Sequence, residues 1–273
     1  MLQTKERATI GEKTCNVKGP NKQMSVSPLS CTSRCALCRE RRVLCDSHII
    51  PEFLYEPLYD SKHRVFRLST AGKPKRSFEQ KGVREYLLCR DCECQLSRYE
   101  GYARDVLYEA SDVVSGTPQG FEFLVDYRQF KLFELSILWR VGVSRLPEFK
   151  DVNLGSHERR LRNMLRQESP GATEEYGCIK IWPLSYRNIM DQLIMSMGMG
   201  KIERVQCCRL VIGGMCWFFF LSRNAIDARQ EGLFLQDTGA LRIMLGDFGI
   251  PGYMQKLAKD LYVNNPHVFP LKH

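Results

Sequence analysis

Two C-x-x-C pairs, Cys35-Ala-Leu-Cys38 and Cys89-Arg-Asp-Cys92, constrain this chain more than any other feature. Each pair presents two thiolates from a tight turn, and two such pairs around one tetrahedral ion complete the coordination of zinc. The neighbouring Arg34, Arg39, Glu40, Arg90 and Asp91 are too polar for the four cysteines to be ordinary core residues. A four-thiolate site is closed and structural, so any chemistry must lie elsewhere.

The other cysteines refine this expectation. Twelve in 273 residues are too dilute for a disulfide miniprotein, and the polar N-terminal segment has no apolar signal-peptide core. The expected setting is reducing and cytoplasmic, where paired cysteines suggest metal rather than disulfides. Cys178, Cys207, Cys208 and Cys216 sit in apolar, strand-like sequence and are expected to be buried small hydrophobes. Forty Lys and Arg against 31 Asp and Glu leave a charge of +9, which favours a polyanionic partner such as nucleic acid. The longest apolar run, Met215 to Leu221, is far short of the roughly 20 residues that cross a bilayer, so a soluble chain with no membrane partner is expected.

Three segments follow from composition. Residues 1–30 lack apolar periodicity and read as a flexible arm. Residues 31–100 are short-patterned and punctuated by cysteine. Their middle carries Lys62, Arg64, Arg67, Lys73, Lys75, Arg76, Lys81 and Arg84, either a nucleic-acid contact or a solvated basic loop. Residues 101–273 form an α+β accessory domain. A core-packed helix is expected over Tyr127 to Ser144, where Phe130, Phe133, Ile137, Leu138 and Val141 recur at helical spacing. A second helix, from Ser156 to about Gln167, has Ser156 as its candidate cap and a basic opposite face of Arg159, Arg160, Arg162 and Arg166. Strands are expected at Tyr176 to Trp182 and on either side of Gly213-Gly214, a dipeptide suited to a tight antiparallel hairpin. The text from Ile226 onward reads as further helices.

Around the knuckles stand Asp46-Ser47-His48-Ile49-Ile50-Pro51, Tyr86-Leu87-Leu88 and, directly after Cys92, Glu93. Over about residues 31–100 this pattern resembles the HNH, or ββα-metal, nuclease family in its zinc-ribbon form. The longer stretches Ser47 to Phe53, Leu87 to Glu93 and Lys131 to Arg140 are similar to bacterial HNH-like proteins of undefined role. The resemblance implies that His48 is the general base that activates water. It further implies that a catalytic Mg2+ or Mn2+ is held by the residue before His48 and the polar residue after the second knuckle. Here those positions hold Ser47 and Glu93, where the family usually has Asp or His and His respectively, and no Asn stands shortly before Leu87, where the family often has one. Asp46 adjoins the motif, and a helix beginning at the second knuckle puts Glu93, Ser97 and Glu100 on one face, so Glu93, Asp46, Ser47 and Glu100 form the candidate ion set. Trp139 and Arg140 belong to the accessory domain, as groove-lining residues or as core.

The expected function is metal-dependent hydrolysis of nucleic-acid phosphodiesters, with DNA the favoured substrate and a bacterial or phage defence setting implied by the resemblance alone. Its rivals are a catalytically inactive zinc-stapled binding module and a complex-forming subunit or homodimer.

Overall fold

The computed structural model describes residues 32–56, 59, 65–69, 75–79, 82–108, 113–117, 119–184, 195–202, 204–221 and 232–247, with 65–69 and 75–79 described by their backbone. These residues belong to one compact unit that begins at Thr32, and the expected arm lies outside them. The architecture is α+β.

The first sheet has the order β1 (Thr32–Arg34), β2 (Arg41–His48), β5 (Arg84–Cys89), all antiparallel. The C-x-x-C turn at Cys35 to Cys38 joins β1 to β2, and Arg39 leaves it with a φ of 69°. That left-handed conformation costs a side-chain-bearing residue about 1–2 kcal/mol relative to glycine. Between β2 and β5 the chain makes a separate hairpin, β3 (Val65–Ser69) and β4 (Lys75–Glu79). Arg67, Lys75 and Arg76 occupy register positions on it, whereas Lys62, Arg64, Lys73 and Lys81 lie outside the described residues. Strand β5 runs without a break into helix α1 (Arg90–Tyr108), which buries Cys92, Leu96, Tyr99 and Ala103 at helical spacing. Two strands and a helix thus meet at the second knuckle.

Helix α1 continues past Glu100 and packs on α2 (Tyr127–Val143). Asp126 caps α2 by accepting a 2.9 Å hydrogen bond from the Gln129 N–H. Every residue of α2 from Phe130 to Val141 is buried, as expected of a helix enclosed on all sides. Trp139 is core, and its indole N–H donates to Glu158 at 3.2 Å. Helix α3 (His157–Arg166) packs on α2 and buries Leu161, Met164 and Leu165. Ser156 stands at its N-cap position without a side-chain capping bond, because its own backbone is already helical.

The second sheet has seven strands in the order β6 (Val113–Thr117), β7 (Gly120–Leu124), β12 (Ala240–Leu245), β8 (Cys178–Trp182), β11 (Met215–Phe220), β10 (Val205–Ile212), β9 (Met195–Ile202). Gly213 and Gly214 have φ of 57° and 76°, the two positive values that a tight β10–β11 turn requires. Cys178, Cys207, Cys208 and Cys216 are buried in this sheet, and burial raises each thiol pKa. One expectation is corrected: Ala240–Leu245 is a strand, not helix. Leu241 and Ile243 are its most buried side chains and alternate with more exposed neighbours, and the strand pairs with β7 on one side and in parallel with β8 on the other.

Polar groups are sealed in the core between α2 and this sheet. Lys180 Nζ lies 2.5 Å from Glu134 Oε1, both fully buried, and the ammonium also sits over the rings of Phe130 and Trp217. Burial works against the charged Lys180, but the Glu134 carboxylate more than offsets it and the amine stays above its usual range. Lys131 donates to the Thr173 and Tyr176 carbonyls, and burial lowers its pKa.

Candidate metal centre and the His48 site

The four knuckle cysteines converge. Sγ atoms of Cys35, Cys38, Cys89 and Cys92 all lie within 4.8 Å of one another. Cys38 and Cys89 sulfurs are 3.8 Å apart, which is about the S···S edge of a tetrahedron with Zn–S bonds of about 2.3 Å. The Cys89 N–H donates to Cys35 Sγ at 3.3 Å, the kind of backbone contact that favours a thiolate. Cys35 is lowered to about 4, chiefly because the Cys92 thiol hydrogen-bonds to it, and Cys92 is correspondingly pushed up. Three of the sulfurs are buried and Cys38 is half-buried. The donor set therefore fits a metal ion such as zinc, and four soft ligands would leave it no open position for substrate.

Strand alternation divides the Asp46-Ser47-His48 step between two faces. In the β2–β5 register Asp46 pairs with Tyr86, Ser47 with Glu85 and His48 with Arg84. Asp46, Tyr86, His48 and Arg84 therefore share one face, while Ser47 and Glu85 share the other, toward the helices. A bulge between Cys45 and Asp46 sets this register.

On the helix side, Ser47 is fully buried and its hydroxyl donates to Glu93 Oε2 at 2.6 Å while accepting from the Leu88 N–H at 3.3 Å. Burial raises the Glu93 carboxyl. Its bond from Ser47 and the charge of Arg140 pull the other way, and the Glu100 carboxylate adds to the rise. Glu100, two turns along α1, is paired with Arg140 of α2 at 2.6 Å. Arg140 is only 1% exposed and uses every edge of its guanidinium: Nη1 to the His48 carbonyl at 2.9 Å, Nε to the Ser136 carbonyl at 3.3 Å, and Nη2 to Ser136 Oγ at 3.2 Å as well as to Glu100. Arg140 carries no sequence signal for this role, because Glu100 and His48 lie 40 and 92 positions away.

On the other face, His48 Nε2 lies 2.5 Å from Glu52 Oε2 and 3.0 Å from Arg84 Nε. An imidazole nitrogen cannot donate to one and accept from the other. Glu52 is held down to about 2, first by its bond to His48 and further by the Tyr59 hydroxyl 2.5 Å from Oε1, against the opposing effect of burial. Nε2 accepts from the Arg84 Nε–H, and the Glu52 carboxylate lies beside the same nitrogen as the partner that an imidazolium would pair with. Arg84 also reaches the Asp46 carboxylate, with Nη1 3.4 Å from Oδ2. The His48 side chain is 17% exposed. Glu52 was missed in the sequence, although its place four residues after His48, beyond Pro51, was the available signal.

The residues expected to hold a catalytic Mg2+ or Mn2+ are each engaged by a neighbour within the chain. Glu93 is bonded by Ser47, Glu100 by Arg140 and His48 by Glu52, and the guanidinium of Arg140 already brings a positive charge to the Glu93–Glu100 face. Among the described residues the four cysteines are the one group of three or more His, Cys, Asp or Glu ligands gathered closely enough to hold an ion. No described helix is long and apolar enough to cross a membrane. Comparison with protein-family models, curated proteins and solved structures finds no match for this chain.

Proposed function

We propose that this chain is a zinc-stapled nucleic-acid-binding module built on a ββα scaffold, and that its candidate ion site is closed by internal pairing. The observation that carries this reading is the pairing itself: Ser47 on Glu93 and Arg140 on Glu100 engage both carboxylates that would hold the ion. The net charge of +9 and the basic positions on β3 and β4 support a polyanion as partner. Binding to DNA or RNA should survive chelation of free magnesium and should weaken steeply with added salt. Reversing Lys73, Lys75 and Arg76 together should flatten that salt slope. Binding that requires added Mg2+, or that ignores salt, would reject the proposal.

A second reading, a metal-dependent endonuclease, is favoured by one observation, the His48–Glu52 pair at 2.5 Å. A carboxylate beside Nε2 orients the imidazole, as a general base requires. On that reading purified protein cleaves nucleic acid in Mg2+ or Mn2+, and His48→Ala abolishes cleavage while sparing zinc content and binding. Cleavage undiminished in His48→Ala eliminates His48 as its base.

A further inference from the structure

A groove of about 620 Å³ runs along the knuckle side of the first sheet, lined by Arg34, Arg39, Tyr86 and Arg145 together with Glu85 and Glu158. Its two carboxylates are already engaged. Glu85 accepts from the Ser144 hydroxyl at 2.9 Å and the Arg145 N–H at 3.0 Å, and Glu158 accepts from Trp139 and pairs with Arg162 at 3.2 Å. Arg34, Arg39 and Arg145 are exposed and have no ion pair among the described residues, and with Glu158 paired to Arg162 they outnumber the remaining carboxylate, Glu85, so the groove keeps a net positive charge. Ala36, Leu44, Leu87 and Val143 give it an apolar floor. At its side stands Tyr86, 72% exposed, the most exposed of the large hydrophobic side chains among the described residues.

Two of these features add nothing to the stability of the fold. An exposed aromatic ring gains nothing from burial in the chain itself. Arg39 holds a left-handed backbone that glycine would adopt without strain, so the fold alone does not call for arginine there. Both are accounted for by one ligand. We infer that the groove binds single-stranded nucleic acid, an unpaired base stacking on Tyr86 and the adjoining phosphates lying against Arg34, Arg39 and Arg145. A duplex hides its base faces and cannot stack on a side chain in this way, whereas a single strand offers both a π-face and a phosphate at every step. The inference rests on the nucleic-acid-binding reading and specifies its ligand.

The test is fluorescence anisotropy on the full zinc-loaded chain with a short mixed-sequence labelled single strand and the corresponding duplex. Tyr86→Ala should weaken single-strand binding about tenfold, and Tyr86→Phe, which keeps the ring, should stay within about twofold of the parent. Arg34→Ala with Arg145→Ala should lower the slope of log affinity against log salt by about 1.4. Arg39→Gly should weaken binding while keeping or raising the melting temperature, which separates loss of contact from loss of fold. If the parent binds single strands and all these variants bind equally well, the groove assignment is overturned and the broader reading stands. If the duplex binds as tightly as the single strand and Tyr86→Ala changes neither, the single-strand inference is overturned. If the parent binds neither, both readings fall together.

Discussion

Arg140 of α2 and Glu100 of α1 meet at 2.6 Å with the arginine almost wholly buried, and the same guanidinium holds the backbone carbonyl of His48. One cation therefore fastens the accessory helix to the strand that bears the candidate base, and it does so beside two carboxylates. A buried pair of this kind is seldom a large net gain over apolar packing, but breaking it leaves the partner charge stranded.

Arg140→Met should accordingly lower stability by about 3–5 kcal/mol, because Glu100 loses its counter-charge and the His48 and Ser136 carbonyls lose their donor. The variant also frees the Glu93–Glu100 face. Thermal melts with and without Mn2+ should show the ion raising the melting temperature of Arg140→Met and leaving the parent unchanged. A parent that is itself stabilised by Mn2+ would show that the ion site is open.

One zinc per chain is expected, bound by Cys35, Cys38, Cys89 and Cys92. Elemental analysis should find it lost in Cys35→Ser and Cys89→Ser and kept in Cys45→Ser and Cys94→Ser, whose thiols are outside the four-sulfur group. Because the ligands come from two turns separated by the β3–β4 hairpin, ion binding is coupled to closure of the sheet. Chelation should therefore make residues 32–100 susceptible to protease.

Glu52 predicts a pH dependence. Its folded-state value of about 2 lies below the ordinary carboxylate range, so the stability it contributes is present above about pH 4.5 and is lost as pH falls toward 2. Glu52→Gln should lower the melting temperature at neutral pH and reduce the acid-side fall between those limits. Identical pH profiles for parent and variant would show that the His48 pair is not formed in solution.

In the core, Glu134→Leu and Lys180→Met should each cost about 3–5 kcal/mol, since each strands a buried charge. The double substitution should recover most of that loss. Denaturant melts of the four proteins close the cycle, and additive losses would contradict a direct pair.

What was legible in the sequence was local. The knuckles announce themselves within four residues each, α2 and α3 by apolar spacing, and the β10–β11 hairpin by Gly213-Gly214. The β2–β5–α1 arrangement was expected from the resemblance to the ββα-metal family alone. What was not legible depends on partners distant in the chain. Ser47 reads as a poor ion ligand, yet its hydroxyl caps Glu93, 46 positions on. Arg140 reads as one more polar residue on an amphipathic helix until Glu100 and the His48 carbonyl are brought against it. Strand β12 was missed for another reason: Gly246, Gly249, Pro251 and Gly252 drew attention away from the two-residue alternation of Leu241 and Ile243.

That strand has a consequence for how the protein is made. Residues 240–245 sit in the interior of a sheet whose other strands all emerge earlier from the ribosome. Until they do, β7 and β8 each present an unpaired backbone edge, and the nascent chain carries two half-sheets with apolar faces and no seam. Gly120 keeps that seam open to the latecomer, since a Cβ there would stand 2.3 Å from the Ile243 carbonyl oxygen. A stop codon ahead of Ala240 would therefore do more than shorten the product: it would release a chain whose two open edges pair with those of its neighbours on the polysome.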